Sequence, residues 1–219
     1  MDTVQWRVIA NWSPELLAAA GVTLRVSAIS FVLALIIGTV TGVIRSRAGG
    51  RLAFPIAAYV EFFRGTPLLV QLFFIYYGLP QIGITMDAWT AAIVGLGLNG
   101  GAYISEIVRG ALAGIHRGQY DAAHALGFGW LQTIAWVVMP QALRTATPPL
   151  MNSFAALLKE SSLVSILAIT EMMNVANQVY SRTFRAFEIF AVVALMYFTM
   201  TFFVSQVSRL LERRLALGR

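Results

Sequence analysis

The chain has 219 residues, of which 58% are hydrophobic and 12% charged, with a formal net charge of +6. Soluble domains carry about a quarter charged residues, so most of this exterior must face lipid rather than water. The absence of cysteine excludes a disulfide framework, a thiol nucleophile and a Cys-based metal site. The arginines are scattered between apolar runs, which excludes the basic stripe of a nucleic-acid-binding face.

The opening residues, MDTVQWRVIANWSPELL, hold Asp2 and Glu15 with only Arg7, a poor match to the positive start of a cleaved secretory signal. Trp6 and Trp12 suit an interfacial lead-in. Apolar stretches then predict five membrane helices, at about 16–44, 66–79, 88–108, 146–169 and 187–211. The second is short unless Leu52 to Phe63 joins it across a break at Arg64-Gly65, and the fourth is interrupted by Pro148-Pro149 and by Lys159-Glu160. In the third, Gly95, Gly97 and Gly100 satisfy the dinucleotide pattern GxGxxG. That fingerprint acts at a strand-to-helix turn; inside an apolar span, small residues that let helices touch explain it better. The expected fold is all-α, one membrane domain over 1–219.

Orientation follows from the basic residues of short loops. Arg45, Arg47, Arg51, Arg109, Arg117, Arg209, Arg213, Arg214 and Arg219 fall on one side, against Arg7, Arg182 and Arg185 on the other. The richer side is cytoplasmic, which puts the N-terminus outside and the C-terminus inside. On the cytoplasmic side a long connection, about 110–139, separates the third and fourth spans, and connections of that length tend to be functional.

That connection contains GQYDAAHALGFGWLQTIAWVVMP. Asp121 is expected at a helix start, where a carboxylate meets free N–H groups and the positive end of the dipole. Ala122 and Ala123 remove bulk so that another surface can approach, and Gly127 permits a sharp exit. The segment resembles the cytoplasmic signature of ABC importer permeases: Glu-Ala-Ala, three residues, Gly, nine residues, Ile, one residue, Leu-Pro. The matching letters are Asp121, Ala122, Ala123, Gly127, Val137, Met139 and Pro140, with every spacing kept and conservative departures at Asp121, Val137 and Met139.

Val60 to Pro80, Gly101 to Gly110 and Asn152 to Met172 resemble the branch that carries polar amino acids. The resemblance implies a type I permease fold in a bacterial inner membrane. It also implies a second permease chain, identical or homologous, two ATP-binding subunits on the cytoplasmic face, and an extracytoplasmic binding protein that delivers solute. Asp121, Ala122, Ala123 and Gly127 are then the ATPase-coupling segment. ATP and Mg would be bound by the partner ATPase, with no cofactor in this chain. The only lysine, Lys159, follows Leu158, so no phosphate-binding GxxxxGK[ST] loop is present.

Ionisable residues inside a bilayer cost about 2.5 to 3.5 kcal/mol on insertion scales and normally face a partner or a wet cavity. Lys159 and Glu160, adjacent on the fourth span, diverge by about 100° and cannot pair well with each other. They are candidate ligands for the carboxylate and ammonium of an amino-acid zwitterion, with Gln71 and Ser162 as further solute-binding candidates. Asn99 could equally line the path, and hydrogen bonding between helices or back to the backbone explains these neutral groups as well. Glu106 with Arg109, and Glu61 with Arg64, have the i, i+3 spacing of helical ion pairs. The competing function is an ion-coupled secondary carrier or channel subunit with Lys159 and Glu160 as its relay, but such carriers usually show inverted repeats, and none is visible.

The charge asymmetry makes a direct forecast. In intact cells, a membrane-impermeant thiol reagent labels a cysteine introduced at Ile84 and not one at Ala48; the reverse pattern inverts the topology.

Overall fold

The structure, a computed structural model, describes residues 7–47 and 53–216. Trp6, Arg51 and Arg219, used above as interface and orientation markers, lie outside them. The first helix, α1 (Arg7–Arg47), is 41 residues long, about 60 Å at 1.5 Å per residue and twice a ~30 Å hydrocarbon core. It starts well before the expected residue 16, and its first part, with Glu15 and Arg25 exposed, projects beyond the apolar stretch. Next come α2 (Ala53–Gly65) and α3 (Leu68–Phe73), which runs on through a π-turn and a 3-10 turn to Ile82. Helix α4 (Ala88–Ala113) starts on an Asp87 cap whose Oδ2 accepts from the Trp89 amide at 3.1 Å. The Thr90 hydroxyl is the main reason that the Asp87 carboxyl is held below its usual range.

Helices α1 and α4 form the main contact of the bundle. Glycines set how closely they approach. A Cβ on Gly38 would stand 2.5 Å from Ile104 Cβ, and one on Gly97 would stand 2.6 Å from Leu33 Cδ2. The glycines of the GxGxxG string are thus contact surface, since a Cβ on Gly95 would meet Leu72 at 2.6 Å.

At the far end of the same pair, Glu106 of α4 gathers three arginines. It bonds Arg45 of α1 and, at 2.7 Å, Arg109 of its own helix, while Arg64 of α2 stands 3.9 Å away. The Glu106–Arg109 pair has the expected spacing, but Glu61–Arg64 does not form. Arg64 turns to α4, where it meets this carboxylate and lies 5.3 Å over the Tyr103 ring. An exposed intrahelical pair is worth only a few tenths of a kcal/mol, so two partners on the neighbouring helix win.

Between α2 and α3 the chain bends by 108°, the geometry of a broken span or a re-entrant loop. Pro67 is the cause: its φ of -63° and ψ of 134° leave the helical region, and it has no N–H to continue the ladder. The bend frees carbonyls that lipid cannot satisfy. Two buried amides take them. Gln71 Nε2 lies 2.9 Å from Phe63 O, 3.0 Å from Thr66 O and 2.8 Å from Thr66 Oγ1, and Asn99 Nδ2 donates to Phe63 O at 3.1 Å and to Gln71 Oε1 at 3.0 Å. An apolar cluster of Val26, Leu72, Leu96, Val164 and Leu167 closes over this region.

The rest of the chain is α5 (Arg117–Ala125), a short α6 (Trp130–Gln132), α7 (Met139–Glu160), α8 (Met172–Thr183) and α9 (Ala186–Ala216). A π-turn joins α6 to α7, so the fourth span runs continuously from Trp130 to Leu167 and begins sixteen residues before the expected Ala146. Pro148-Pro149 does not interrupt it. Threonine hydroxyls bonded to carbonyls one turn back, Thr145 to Gln141 O at 3.2 Å and Thr147 to Leu143 O at 2.7 Å, supply polar contacts beside the prolines. Four helices are long and apolar enough to cross a membrane among the described residues, or five when the bent pair is counted as one span.

The amide bridge over the break can be tested by Gln71→Leu, which keeps bulk but leaves freed carbonyls without a donor. The expected loss is about 1–3 kcal/mol, read as a lower thermal midpoint in detergent, with Gln71→Asn in between; an unchanged midpoint refutes the bridging role.

Candidate functional site

Lys159 and Glu160 close the last turn of α7, where the helix tightens into the 3-10 segment Ser161–Leu167. Although α7 begins earlier than expected, packing puts the pair level with the middle of α4. Leu157 Cδ1 lies 3.2 Å from a Cβ built on Gly100, the midpoint of α4, and the Phe154 ring lies 4.8 Å from Phe31. Both charged side chains are exposed on the surface of the single chain, while Leu157 and Leu158 beside them are buried. Neither has an ion-pair partner among the described residues. Two adjacent, exposed and opposite charges inside a span can meet a ligand that carries both signs.

The other two solute-binding candidates are differently placed. Gln71 is only 5% exposed, and its amide is engaged in bridging the helix break. Asn99, 4% exposed, completes the same bridge. The Ser162 hydroxyl donates to Lys159 O at 2.8 Å, and Ser161 does the same to Leu158 O at 2.8 Å, so both serines tighten the turn beneath the charged pair. Geometry therefore leaves Lys159 and Glu160 adjacent and both exposed at the end of α7, and keeps Gln71 and Ser162 on local backbone.

On the cytoplasmic side, α4 extends to Ala113, so the connection is shorter than the expected 110–139. Asp121 is not at a helix start. Helix α5 begins at Arg117, with His116 as its cap and His116 Nδ1 accepting from the Gly118 amide at 3.1 Å, which leaves Asp121 in mid-helix and exposed. Ala123 faces inward at 2% exposure, toward the π-turn that α5 packs on, whereas Ala122 faces out. Gly127 makes the sharp exit with φ of +80°. The Phe128 amide reaches Ala123 O at 3.0 Å and the Gly127 amide His124 O at 2.9 Å, a Schellman ending that only a residue at ease in the left-handed region supports. The outward face therefore carries Asp121, Ala122 and, 77% exposed at the C-cap, Leu126.

Sequence reasoning missed Glu171. This carboxylate is fully buried, caps α8 by accepting from the Asn174 amide at 2.7 Å, and receives the Tyr197 hydroxyl of α9 at 3.1 Å. Thr23 Oγ1 of α1 lies 3.4 Å from it and accepts the Met172 amide at 3.2 Å. Only the cap was visible as a signal, an acidic residue directly before a helical stretch; the partners are 26 and 148 residues away.

Comparison with known proteins gives the same architecture. Residues 18–217 match the family described as binding-protein-dependent transport system inner membrane component. The chain is 38% identical over 213 residues to the glutamine transport system permease protein GlnP of Escherichia coli, covering 96% of this chain and 97% of that protein. It is 34% identical over 222 residues to the probable amino-acid ABC transporter permease protein YckA of Bacillus subtilis, covering 99% and 98%. Among solved structures, one chain of an amino acid ABC transporter crystallised with histidines superposes with a TM-score of 0.90 at 32% identity, covering 97% of this chain and 100% of that one. A chain of the methionine ABC transporter MetNI, at 21% identity and a TM-score of 0.81, shares the fold. With this match over nearly its whole length, the chain belongs to the family of inner-membrane permease components of binding-protein-dependent ABC importers.

Proposed function

We propose that this permease subunit forms half of the pathway for a polar amino acid in a bacterial inner membrane, with a second permease chain, identical or homologous, facing it. The observation that carries the reading is the pair of opposite, exposed charges level with the middle of α4. Lys159 binds the solute α-carboxylate and Glu160 its α-ammonium, an arrangement that offsets the cost of holding unpaired charges within a span. Gln71 and Ser162 act behind them, Gln71 by fixing the break and Ser162 by fixing the turn that presents the pair.

An extracytoplasmic binding protein delivers the solute, and two ATP-binding subunits dock on the cytoplasmic side. The support for the second contact is the outward face of α5, small at Ala122, acidic at Asp121 and apolar at Leu126, with Gly127 ending the helix so that it fits a groove. Ala123 contributes from behind by seating α5 on its own bundle. Energy then enters from a partner, since Lys159 lies in a span and not in a phosphate-binding loop.

The test is uptake of a radiolabelled polar amino acid by the reconstituted complex. Lys159→Met is expected to assemble normally and lose transport by ten- to a hundredfold, the worth of one charge-assisted hydrogen bond of about 1.5–3 kcal/mol. Glu160→Gln loses less, and Gly127→Glu loses co-purifying ATPase while the chain still inserts. A Lys159→Met complex that transports normally, or one that falls apart before it can be assayed, overturns the solute-binding assignment.

A further inference from the structure

The last helix carries a feature that transport does not use. Of the four long spans, α9 is the least covered by its own chain. One continuous stripe of its surface runs through Leu195, Phe198, Phe202, Gln206, Arg209 and Arg213. Spacings of three and four residues average one helical turn, so these side chains stack in a line along the axis. The upper part is apolar and exposed, with Leu195 at 62%, Phe198 at 63% and Phe202 at 45%, and the two phenylalanine rings stack at 6.0 Å. The lower part changes character at Gln206.

There, Gln206, Arg209, Leu210 and Arg213 line a cleft of about 260 Å³. Both arginines are exposed, and among the described residues neither has a carboxylate partner. Glu212, the acidic residue nearest in sequence, is occupied elsewhere: the Ser208 hydroxyl, on the buried side of α9, donates to its Oε1 at 2.8 Å. The cleft therefore keeps two uncompensated positive charges and an amide donor.

The dimensions fit one class of ligand. From Phe198 to Arg209 is eleven residues, about 17 Å along the helix, close to the ~15 Å depth of one leaflet of hydrocarbon. An acyl chain lying on Phe198 and Phe202 brings its headgroup phosphate to Arg209 and Arg213 on the arginine-rich side. We propose that this stripe is a binding site for an anionic phospholipid, with Arg209, Arg213 and Gln206 holding the headgroup and the phenylalanines the chain. Arginine suits the task because its planar fork can give two parallel hydrogen bonds to phosphate. None of Gln206, Arg209 and Arg213 takes part in the solute or ATPase assignments.

The test uses the full-length chain purified in mild detergent and titrated with phosphatidylglycerol or phosphatidylcholine, with bound lipid counted by native mass spectrometry. Phosphatidylglycerol should be retained in preference, and Arg209→Gln with Arg213→Gln should weaken its retention by roughly thirtyfold, at about one kcal/mol per arginine, while phosphatidylcholine is unaffected. The Arg209→Lys, Arg213→Lys variant, which keeps the charge, should recover most of the loss, so that a misfolded glutamine variant cannot pass as support. Equal retention by wild type and glutamine variant overturns the proposal. It is also overturned if inorganic phosphate binds without displacing phosphatidylglycerol, or if the glutamine variant loses a second permease chain from the spectrum while keeping its lipid.

Discussion

Hydrocarbon offers no water to a peptide group, so a helix can break inside a membrane only where other protein groups take over the hydrogen bonds it gives up. In this chain that condition is met at Arg64 to Pro67 by two amide side chains, Gln71 from the far side of the break and Asn99 from the neighbouring helix. The bridge fixes α2 across α4, and from there Arg64 reaches Tyr103 and the Glu106 cluster. Close approach of α1 and α4 through Gly38 and Gly97 adds the rigid wall against which the break is held. The charged pair on α7 sits at the level of this wall, because Leu157 packs against Gly100.

Much of this was legible in the residues because lipid enforces simple rules. Apolar length revealed the spans, and Gly127 was legible as the sharp exit from a short helix. What misled were rules learned from water. Pro148-Pro149 reads as a stop in a soluble helix, but α7 runs through it with threonine hydroxyls bonded back to the preceding turn. Asp121 reads as a helix start, but the imidazole of His116, five residues earlier, takes the cap by accepting from the Gly118 amide, which leaves the aspartate exposed in mid-helix.

Other features could not be read because they exist only between distant segments. Gln71 in an apolar run announces that a polar partner is needed, yet the partner is a set of carbonyls exposed by the bend and therefore absent from any linear pattern. Glu106 was visible as the mate of Arg109, while Arg45, 61 residues earlier, was not. For the solute, the sequence supplied two opposite charges, and the fold adds that both are exposed where α7 gives way to a 3-10 segment. Electrostatics thus came from composition and geometry from packing.

The buried Glu171 bears on how such a chain is made. Its hydrogen-bond donors come from three places: the amide of Asn174 is available as soon as α8 winds, Thr23 was synthesised long before, and Tyr197 belongs to α9, which is made after α8. Until α9 arrives, this carboxylate lacks one of its donors, while apolar packing of Leu16 and Ala19 with Met172, Val175 and Ala176 already joins α1 to α8. Closure of the clasp therefore depends on α9: Glu171 reaches its full set of polar contacts only when α9 has packed beside α1 and α8. A chain stalled after α8 would carry an under-satisfied acid in its core, which is the kind of defect that membrane quality control can recognise by the local unfolding it causes.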